Sequence, residues 1–116
     1  MARRNNMDKK KVHIRYEVFP EEIAEKVYGM TTIVHHGKEY VIAVNSAMSK
    51  EIQVYSLGHE LASIELGYTD KLEELGQDFK TFPQDNDLLD VALDYYEKYR
   101  RGLIDWDFTE EHNDAV

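Results

Sequence analysis

Residues 59–63 read His-Glu-Leu-Ala-Ser, and the first two have side chains suited to metal and acid–base chemistry. In the zinc motif His-Glu-x-x-His, two histidines one helical turn apart bind one metal, and the glutamate activates the bound water as a general base. Here Ser63 stands in place of the second histidine. A neutral hydroxyl is a poor zinc ligand beside an imidazole, so losing one of three ligands should weaken zinc binding about a thousandfold or more.

The helix that positions these residues is predicted to begin after Ser49, a good N-cap, and to end at Gly67. Its apolar stripe consists of Val54, Leu57, Leu61 and Ile64. At about 100° per residue, His59 and Ser63 lie nearly opposite this stripe and about 40° apart, with Glu60 beside them. The three polar residues are therefore expected to face a second surface, such as a cleft.

The elements around this helix follow from periodicity and turn residues. Before it, the pattern predicts a strand over 11–19, a helix from Pro20 to Gly29, and strands over 30–35 and 39–44 joined by the turn 36–38. After it, the pattern predicts a short helix over 69–76 and a last helix that Asp85 or Asp87 caps and Gly102 ends. The residues of this last helix expected to face inward are Leu88, Leu89, Ala92, Leu93 and Tyr96. This order predicts an α+β domain with a small antiparallel or mixed sheet packed by helices.

The stretch from Val41 to Gly67 carries a resemblance to a known family. A strand ending in the turn Asn45-Ser46 is followed by a short loop, the segment Tyr-Ser-Leu-Gly-His-Glu-Leu-Ala at 55–62 and the exit Leu66-Gly67. This ordering is similar to the ImmA/IrrE metallopeptidases. The resemblance implies a zincin-like fold with a central His-Glu helix and an intracellular protein of phages or mobile elements. Active members are zinc peptidases that cut or inactivate a repressor.

The resemblance also implies roles for individual residues. His59 would be the first zinc ligand and Glu60 the general base, whereas Ser63 occupies the position of the second ligand. The family takes a third ligand from an acidic residue on a later helix, and the segment 87–92 resembles that region. Asp87 or Asp90 would then be the last ligand. For each of them the alternative is a helix cap or a solvated surface position.

Four further residues are candidates near such a site. Asp70, just after the exit turn, is another acidic ligand candidate, and His35 or His36 at the hairpin could replace the missing histidine or simply be exposed. Tyr55, one turn before His59, could donate to an oxyanion or cover a vacant metal site. The alternative for Tyr55 is half-buried packing with a hydrated hydroxyl.

The composition narrows the classes of partner. The 116 residues contain no cysteine and carry a net charge of −9, which disfavours binding to nucleic-acid phosphates. No run has the length of a membrane span and the N-terminus lacks an apolar signal region, so we expect a cytoplasmic protein without membrane contact. Residues 1–10 are predicted to be a basic tail, 11–102 one domain and 103–116 an acidic arm.

The acidic arm allows several interpretations. It could be a solvated tail, an arm that contacts a basic partner, or a mimic of DNA. Within it Ile104, Trp106 and Phe108 alternate with aspartates. This alternation is consistent with a short edge strand, a docking arm or a segment for self-association or partner binding. We expect it to pack on its own domain, since an exposed tryptophan in a free tail is uncommon.

The sequence is consistent with two functions. The first is a degenerate, non-catalytic domain without cofactor that binds a regulatory or host-defence protein, such as a basic nucleic-acid-binding protein. The second is an active zinc metalloendopeptidase with unusual ligands that cleaves a repressor-type protein. The missing histidine at Ser63 favours the first function, and the retained pair His59-Glu60 favours the second.

Overall fold

The computed structural model describes residues 9–25, 27–67, 69–70 and 86–113, with the side chains of 86–88 left out. In these residues the elements follow the order β1 Lys11–Glu17, α1 Glu21–Ala24, β2 Gly29–His35, β3 Glu39–Asn45, α2 Lys50–Glu65, α3 Asn86–Arg100 and β4 Asp107–His112. The prediction of an α+β protein with a small mixed sheet packed by helices is confirmed. In the described ranges no helix is both long enough and apolar enough to cross a membrane.

The sheet is mixed because one of its three strand pairs, the hairpin β2–β3, is antiparallel and the other two are parallel. The strand order is β2-β3-β1-β4. β1 runs parallel to both β3 and β4, with Ile14 opposite Ile42 and Glu110, whereas β2 is antiparallel to β3 with Thr31 opposite Ile42. The C-terminal residues 107–112 form an edge strand of the sheet, which shares only Asp107 and Phe108 with the alternating segment 104–108 that suggested one.

The core lies between one face of this sheet and the two longer helices. Alternation places Val12 and Ile14 of β1 on this face, and they are fully buried. The other fully or almost fully buried core side chains are Tyr40, Ile42, Val44, Leu57, Leu61 and Ile64. Ile104, Trp106 and Phe108 pack against this cluster from the C-terminal segment. The predicted stripe of α2 is thus the side that meets the sheet.

The hairpin between β2 and β3 matches its prediction. Gly37 has a φ of +74° and Lys38 donates its backbone N–H to the His35 carbonyl, which closes the turn. A glycine is suited to this left-handed conformation because it has no Cβ. The turn sets β2 beside β3 and thereby places β2 along one side of α2.

Two boundaries near α1 differ from the prediction. β1 ends at Glu17 rather than Phe19, because the Phe19 N–H bonds the Asn45 side chain instead of a strand. α1 ends at Ala24, and Gly29 begins β2 instead of ending the helix. A Cβ on Gly29 would lie 3.3 Å from both the Ala43 carbonyl oxygen and the Ser56 Cβ, so this glycine allows close packing between β2 and α2.

α2 begins and ends as predicted. The Ser49 side chain accepts a hydrogen bond from the Ile52 N–H, and Gly67 adopts a φ of +84° just after the helix. In the middle of α2, Gly58 touches α3 so closely that a Cβ would lie 1.8 Å from the Ala92 carbonyl oxygen. The backbones of the two helices are therefore in direct contact at Gly58.

α3 differs from the expected pattern at one inward-facing position. The described helix starts at Asn86, so Asp87 lies within it, and Asp85, the other predicted cap, lies outside the described residues. Ala92 is buried against α2, but Leu93, expected to face inward, is 42% exposed because it lies about 100° further around the helix. Of the predicted short helix over 69–76, Thr69 and Asp70 are helical, and the remainder falls outside the described residues.

Candidate functional site

His59 and Glu60 leave α2 in different directions. Successive side chains on a helix are separated by about 100°, so the two neighbours cannot share one surface as closely as residues one turn apart. Leu57 and Leu61 fix the rotation of α2 by their burial under the sheet. This rotation directs Glu60 towards β2, as its hydrogen bond shows.

The Glu60 carboxyl group is held by the sheet. Thr31 donates its hydroxyl to Glu60 Oε1 at 2.6 Å, and the Glu60 Cγ lies 3.8 Å from the position of a Cβ on Gly29. Burial raises the pKa of Glu60, and the Thr31 hydrogen bond opposes this shift. One carboxyl oxygen of Glu60 is therefore hydrogen-bonded to β2, and burial of the group favours its protonated form.

His59 is half-buried beside an aromatic neighbour. Its ring centroid lies 6.1 Å from that of Tyr55, one turn earlier, with the ring planes at 33°. Burial lowers the pKa of His59, which favours the neutral imidazole. Tyr55 itself is buried, and this burial, with a further contribution from the charge of Glu60, raises its pKa to about 12. Burial thus shifts the pKa of all three side chains, Tyr55, His59 and Glu60, towards their neutral forms.

Ser63 is bonded to its own helix. Its hydroxyl donates to the His59 backbone carbonyl at 2.9 Å. Serine side chains inside helices commonly form this bond to the carbonyl four residues earlier. The hydroxyl at the position of the second ligand is therefore directed along the helix backbone, and its proton is already donated.

Of the other predicted ligands, the structure describes the side chains of Asp90, Asp70, His35 and His36. The Asp87 side chain is among those not described, and Asp90 is exposed on α3. Asp70 accepts from Tyr40 and lies 3.2 Å from His36 Nδ1, while His35 is exposed at the end of β2. In the part of the chain that the structure describes, no three His, Asp or Glu residues form a group able to hold a metal ion.

Two residues that form side-chain hydrogen bonds to Glu60 and Asp70, Thr31 and Tyr40, were not predicted. Thr31 is a polar residue on the core-facing side of β2, and the alternation Gly29, Thr31, Ile33 was a signal for it. Tyr40 is fully buried in β3, yet its hydroxyl accepts from the Gly37 N–H and donates to Asp70, both at 2.9 Å. Burial, followed by the Asp70 hydrogen bond, raises the pKa of Tyr40 to about 12. The two hydrogen bonds of the Tyr40 hydroxyl connect the hairpin to Asp70, which follows α2.

A separate cleft of about 520 Å³ opens at the carboxyl ends of β1 and β4. Tyr16 and His112 line it with their rings stacked, 4.6 Å apart and within 6° of parallel. Lys50 and Arg100 bring positive charge to its rim, and Glu110 brings a negative charge that bonds Tyr99 and His112. The cleft is lined by none of the predicted site residues, so it is separate from the His59 region.

The geometry of α2 is thus the main guide to function. Hydrogen bonds hold two of its polar side chains, Glu60 to Thr31 of β2 and Ser63 to the carbonyl of His59. No family model, characterised protein or solved structure matches this chain.

Proposed function

We propose that this chain is a degenerate, non-catalytic ImmA/IrrE-like domain with a zincin-like fold, from a phage or mobile element. It acts in the cytoplasm by binding a regulatory or host-defence protein. The observation that carries the proposal is the hydrogen bond from Ser63 to the His59 carbonyl. This bond uses the hydroxyl that stands where a second ligand is needed.

The position of Glu60 supports the same conclusion. A general base for hydrolysis must reach a metal-bound water with a free carboxylate oxygen and must be ionised. Here Thr31 bonds one oxygen, and burial raises the Glu60 pKa, which favours the protonated acid. Glu60 is better placed to join β2 to α2 than to activate water.

Charge supports a basic protein as the partner. The chain has a net charge of −9, and β4 presents Asp107 and Glu111 as exposed acids at one edge of the sheet. Asp90 adds an exposed acid on α3. A negative surface of this kind repels nucleic acid and accelerates association with a positively charged protein. A basic nucleic-acid-binding protein, such as a repressor, has the complementary charge.

One observation favours the second candidate, a zinc metalloendopeptidase with unusual ligands. Burial lowers the pKa of His59, and a metal binds the neutral imidazole. His59 is therefore in the protonation state that a zinc ligand requires, and a donor outside the described residues would have to complete the site.

Metal content separates the two candidates. Protein purified without chelator would be analysed for zinc as wild type, His59→Ala, Ser63→His and the double variant, with His13→Ala as the matched control. His13 lies on the opposite side of the sheet, between Thr109 and Glu39. We expect no stoichiometric zinc in the wild type. Zinc in Ser63→His that disappears in the double variant would identify a decayed site.

The opposite pattern would overturn the proposal. Stoichiometric zinc in the wild type, retained in His13→Ala and lost in His59→Ala, would show that the chain binds metal as it stands.

The partner would be sought among the products of neighbouring genes, where a helix-turn-helix repressor is the expected kind. Its affinity should fall as salt is increased, because exposed charges are screened.

A further inference from the structure

The cleft at the carboxyl ends of β1 and β4 has the size and position of a ligand site. Its volume of about 520 Å³ falls in the range of about 300–1,000 Å³ that is typical of small-molecule pockets. Parallel strands end at the same edge of a sheet, and crevices outside such ends commonly hold ligands. β1 and β4 are parallel, and their last register pair, Tyr16 and His112, lines the cleft together with residues of α2 and α3.

Aromatic rings form much of the cleft wall. Tyr16 and His112 are stacked, and Tyr96 and Tyr99 add two rings from α3. Burial, with a smaller contribution from the charge of Glu110, raises the pKa of Tyr16 to about 12, so this phenol stays neutral at neutral pH. The His112 side chain is 59% exposed. A flat ring of a ligand can therefore extend the stack that Tyr16 and His112 begin.

Charges of opposite sign lie on different sides of the cleft. Lys50 is the first residue of α2, so its positive charge adds to that of the helix N-terminus. Arg100 adds a guanidinium group from α3, although Glu97 already pairs with it. On the strand side, Glu110 Oε1 lies 3.0 Å from His112 Nε2. A ligand that suits both sides carries an anionic group towards α2 and N–H donors towards β4.

Gln53 adds an acceptor to the helix side. Its amide NH₂ group donates to the backbone carbonyls of Ser46 and Met48, at 3.3 and 2.8 Å. An amide NH₂ has two hydrogens, and both are used in these bonds. The group that Gln53 can offer to a ligand in the cleft is therefore its carbonyl oxygen, which matches a ligand with N–H donors on its ring.

We propose that this cleft binds a purine mononucleotide. The purine stacks on His112, its N–H donors face Glu110 or Gln53, and the phosphate contacts Lys50 and the N-terminus of α2. The net charge of −9 opposes a long nucleic acid, but charges more than about 8 Å from the phosphate are largely screened at physiological salt. The site is separate from the His59 region and does not rest on the function proposed above.

Isothermal titration calorimetry of the full chain with three probes tests this site. Adenosine monophosphate carries the ring and the charge, adenosine carries the ring alone, and inorganic phosphate carries the charge alone. We expect saturable binding of adenosine monophosphate, with the other two probes weaker by about tenfold or more. Binding of adenosine monophosphate should weaken as salt is increased, because its phosphate contact is electrostatic.

Variants test each end of the ligand. Lys50→Gln should weaken adenosine monophosphate about tenfold and leave adenosine unchanged, whereas Lys38→Gln, which removes an exposed lysine at the opposite end of the sheet, should change neither. His112→Ala should weaken both ligands about tenfold, and His112→Phe should restore binding because it keeps a flat ring. Circular dichroism establishes that each variant is folded.

Three results would contradict the proposal. The first is the lack of saturable binding at millimolar adenosine monophosphate. The second is phosphate that binds as tightly as the nucleotide, which would indicate a simple anion site. The third is nucleotide binding that neither Lys50→Gln nor His112→Ala weakens, which would place the ligand elsewhere on the chain. The zinc measurements above do not depend on any of these results.

Discussion

Gly58 of α2 and Ala92 of α3 mark the point where the two helices touch through their backbones. A Cβ on Gly58 would lie 1.8 Å from the Ala92 carbonyl oxygen and 2.6 Å from its carbonyl carbon, and Ala92 itself is buried. Backbone atoms cannot move aside as a flexible side chain can. The residue that precedes His59 is therefore constrained by helix packing rather than by the chemistry of its neighbour.

Gly58→Ala should destabilise the protein despite its helical position. Alanine ordinarily stabilises a helix by about 1 kcal/mol relative to glycine, but here the added methyl must separate two helices, at about 2–4 kcal/mol. Urea unfolding would measure the difference. Ser63→Ala in the same helix is the control, and its stability should change by less than about 1 kcal/mol. A stabilised Gly58→Ala would contradict the close contact.

Glu60→Gln should raise stability at neutral pH. Since burial raises the pKa of Glu60 above its ordinary 4.5, the folded state holds the proton more tightly than the unfolded chain. Stability from this group is full below pH 4.5 and is lost as pH rises through the folded-state pKa. Glutamine still accepts from Thr31 and carries no charge, so the gain should appear above that pKa and vanish in acid.

Thermal melts of the wild type and Glu60→Gln from pH 4 to pH 8 would show this dependence. Glu51→Gln is the matched control, because Glu51 is exposed in the first turn of the same helix and should give no gain at any pH. A Glu60→Gln protein that is less stable than the wild type at pH 7 would indicate that the ionised carboxylate is needed.

Asn45→Leu should cost about 2–4 kcal/mol of unfolding free energy. The Asn45 side chain is buried, and its Oδ1 accepts from the backbone N–H groups of Phe19 and Ala47 at 3.3 and 3.0 Å. Leucine would leave both donors without this acceptor. Chemical denaturation measures the loss, and Asn113→Leu, at an exposed position after β4, should change stability by less than about 1 kcal/mol.

Tyr40→Phe should cost about 1–3 kcal/mol, because its buried hydroxyl both accepts from Gly37 and donates to Asp70. Hydrogen exchange should then show faster opening at the Gly37 amide. Tyr95→Phe removes an exposed hydrogen bond to Glu65 and is the control, with an expected loss below about 1 kcal/mol. Equal losses in the two variants would contradict a special role for the buried hydroxyl.

The elements were predictable where periodicity and turn residues agreed. Ser49, Gly37 and Gly67 marked their boundaries because capping and positive φ are local properties of the chain. The start of β2 at Gly29 was not predictable, because this glycine packs closely against Ser56 and Ala43, which are distant in sequence. The exposure of Leu93 likewise depends on which side of α3 meets Gly58.

The candidate site was predictable in position but not in orientation. The sequence pattern predicted that His59, Glu60 and Ser63 lie on one helix. The rotation of about 100° per residue in an ideal helix then predicted that all three face one surface. One tertiary contact directs Glu60 towards β2, where Thr31 donates to it, and a local bond within the helix orients the Ser63 hydroxyl to the His59 carbonyl. A hydrogen bond between residues 29 positions apart leaves no local pattern, so only the alternation in β2 indicated it.

The strand order has a consequence for how the chain folds. β1 is bordered by β3 and β4, and the bond between His13 and Thr109 joins residues 96 positions apart. Bringing such distant segments together carries a loop-closure entropy and slows folding relative to local pairing. Until β4 docks, β1 has one open side, and a partly folded chain would expose a second edge at which aggregation can begin.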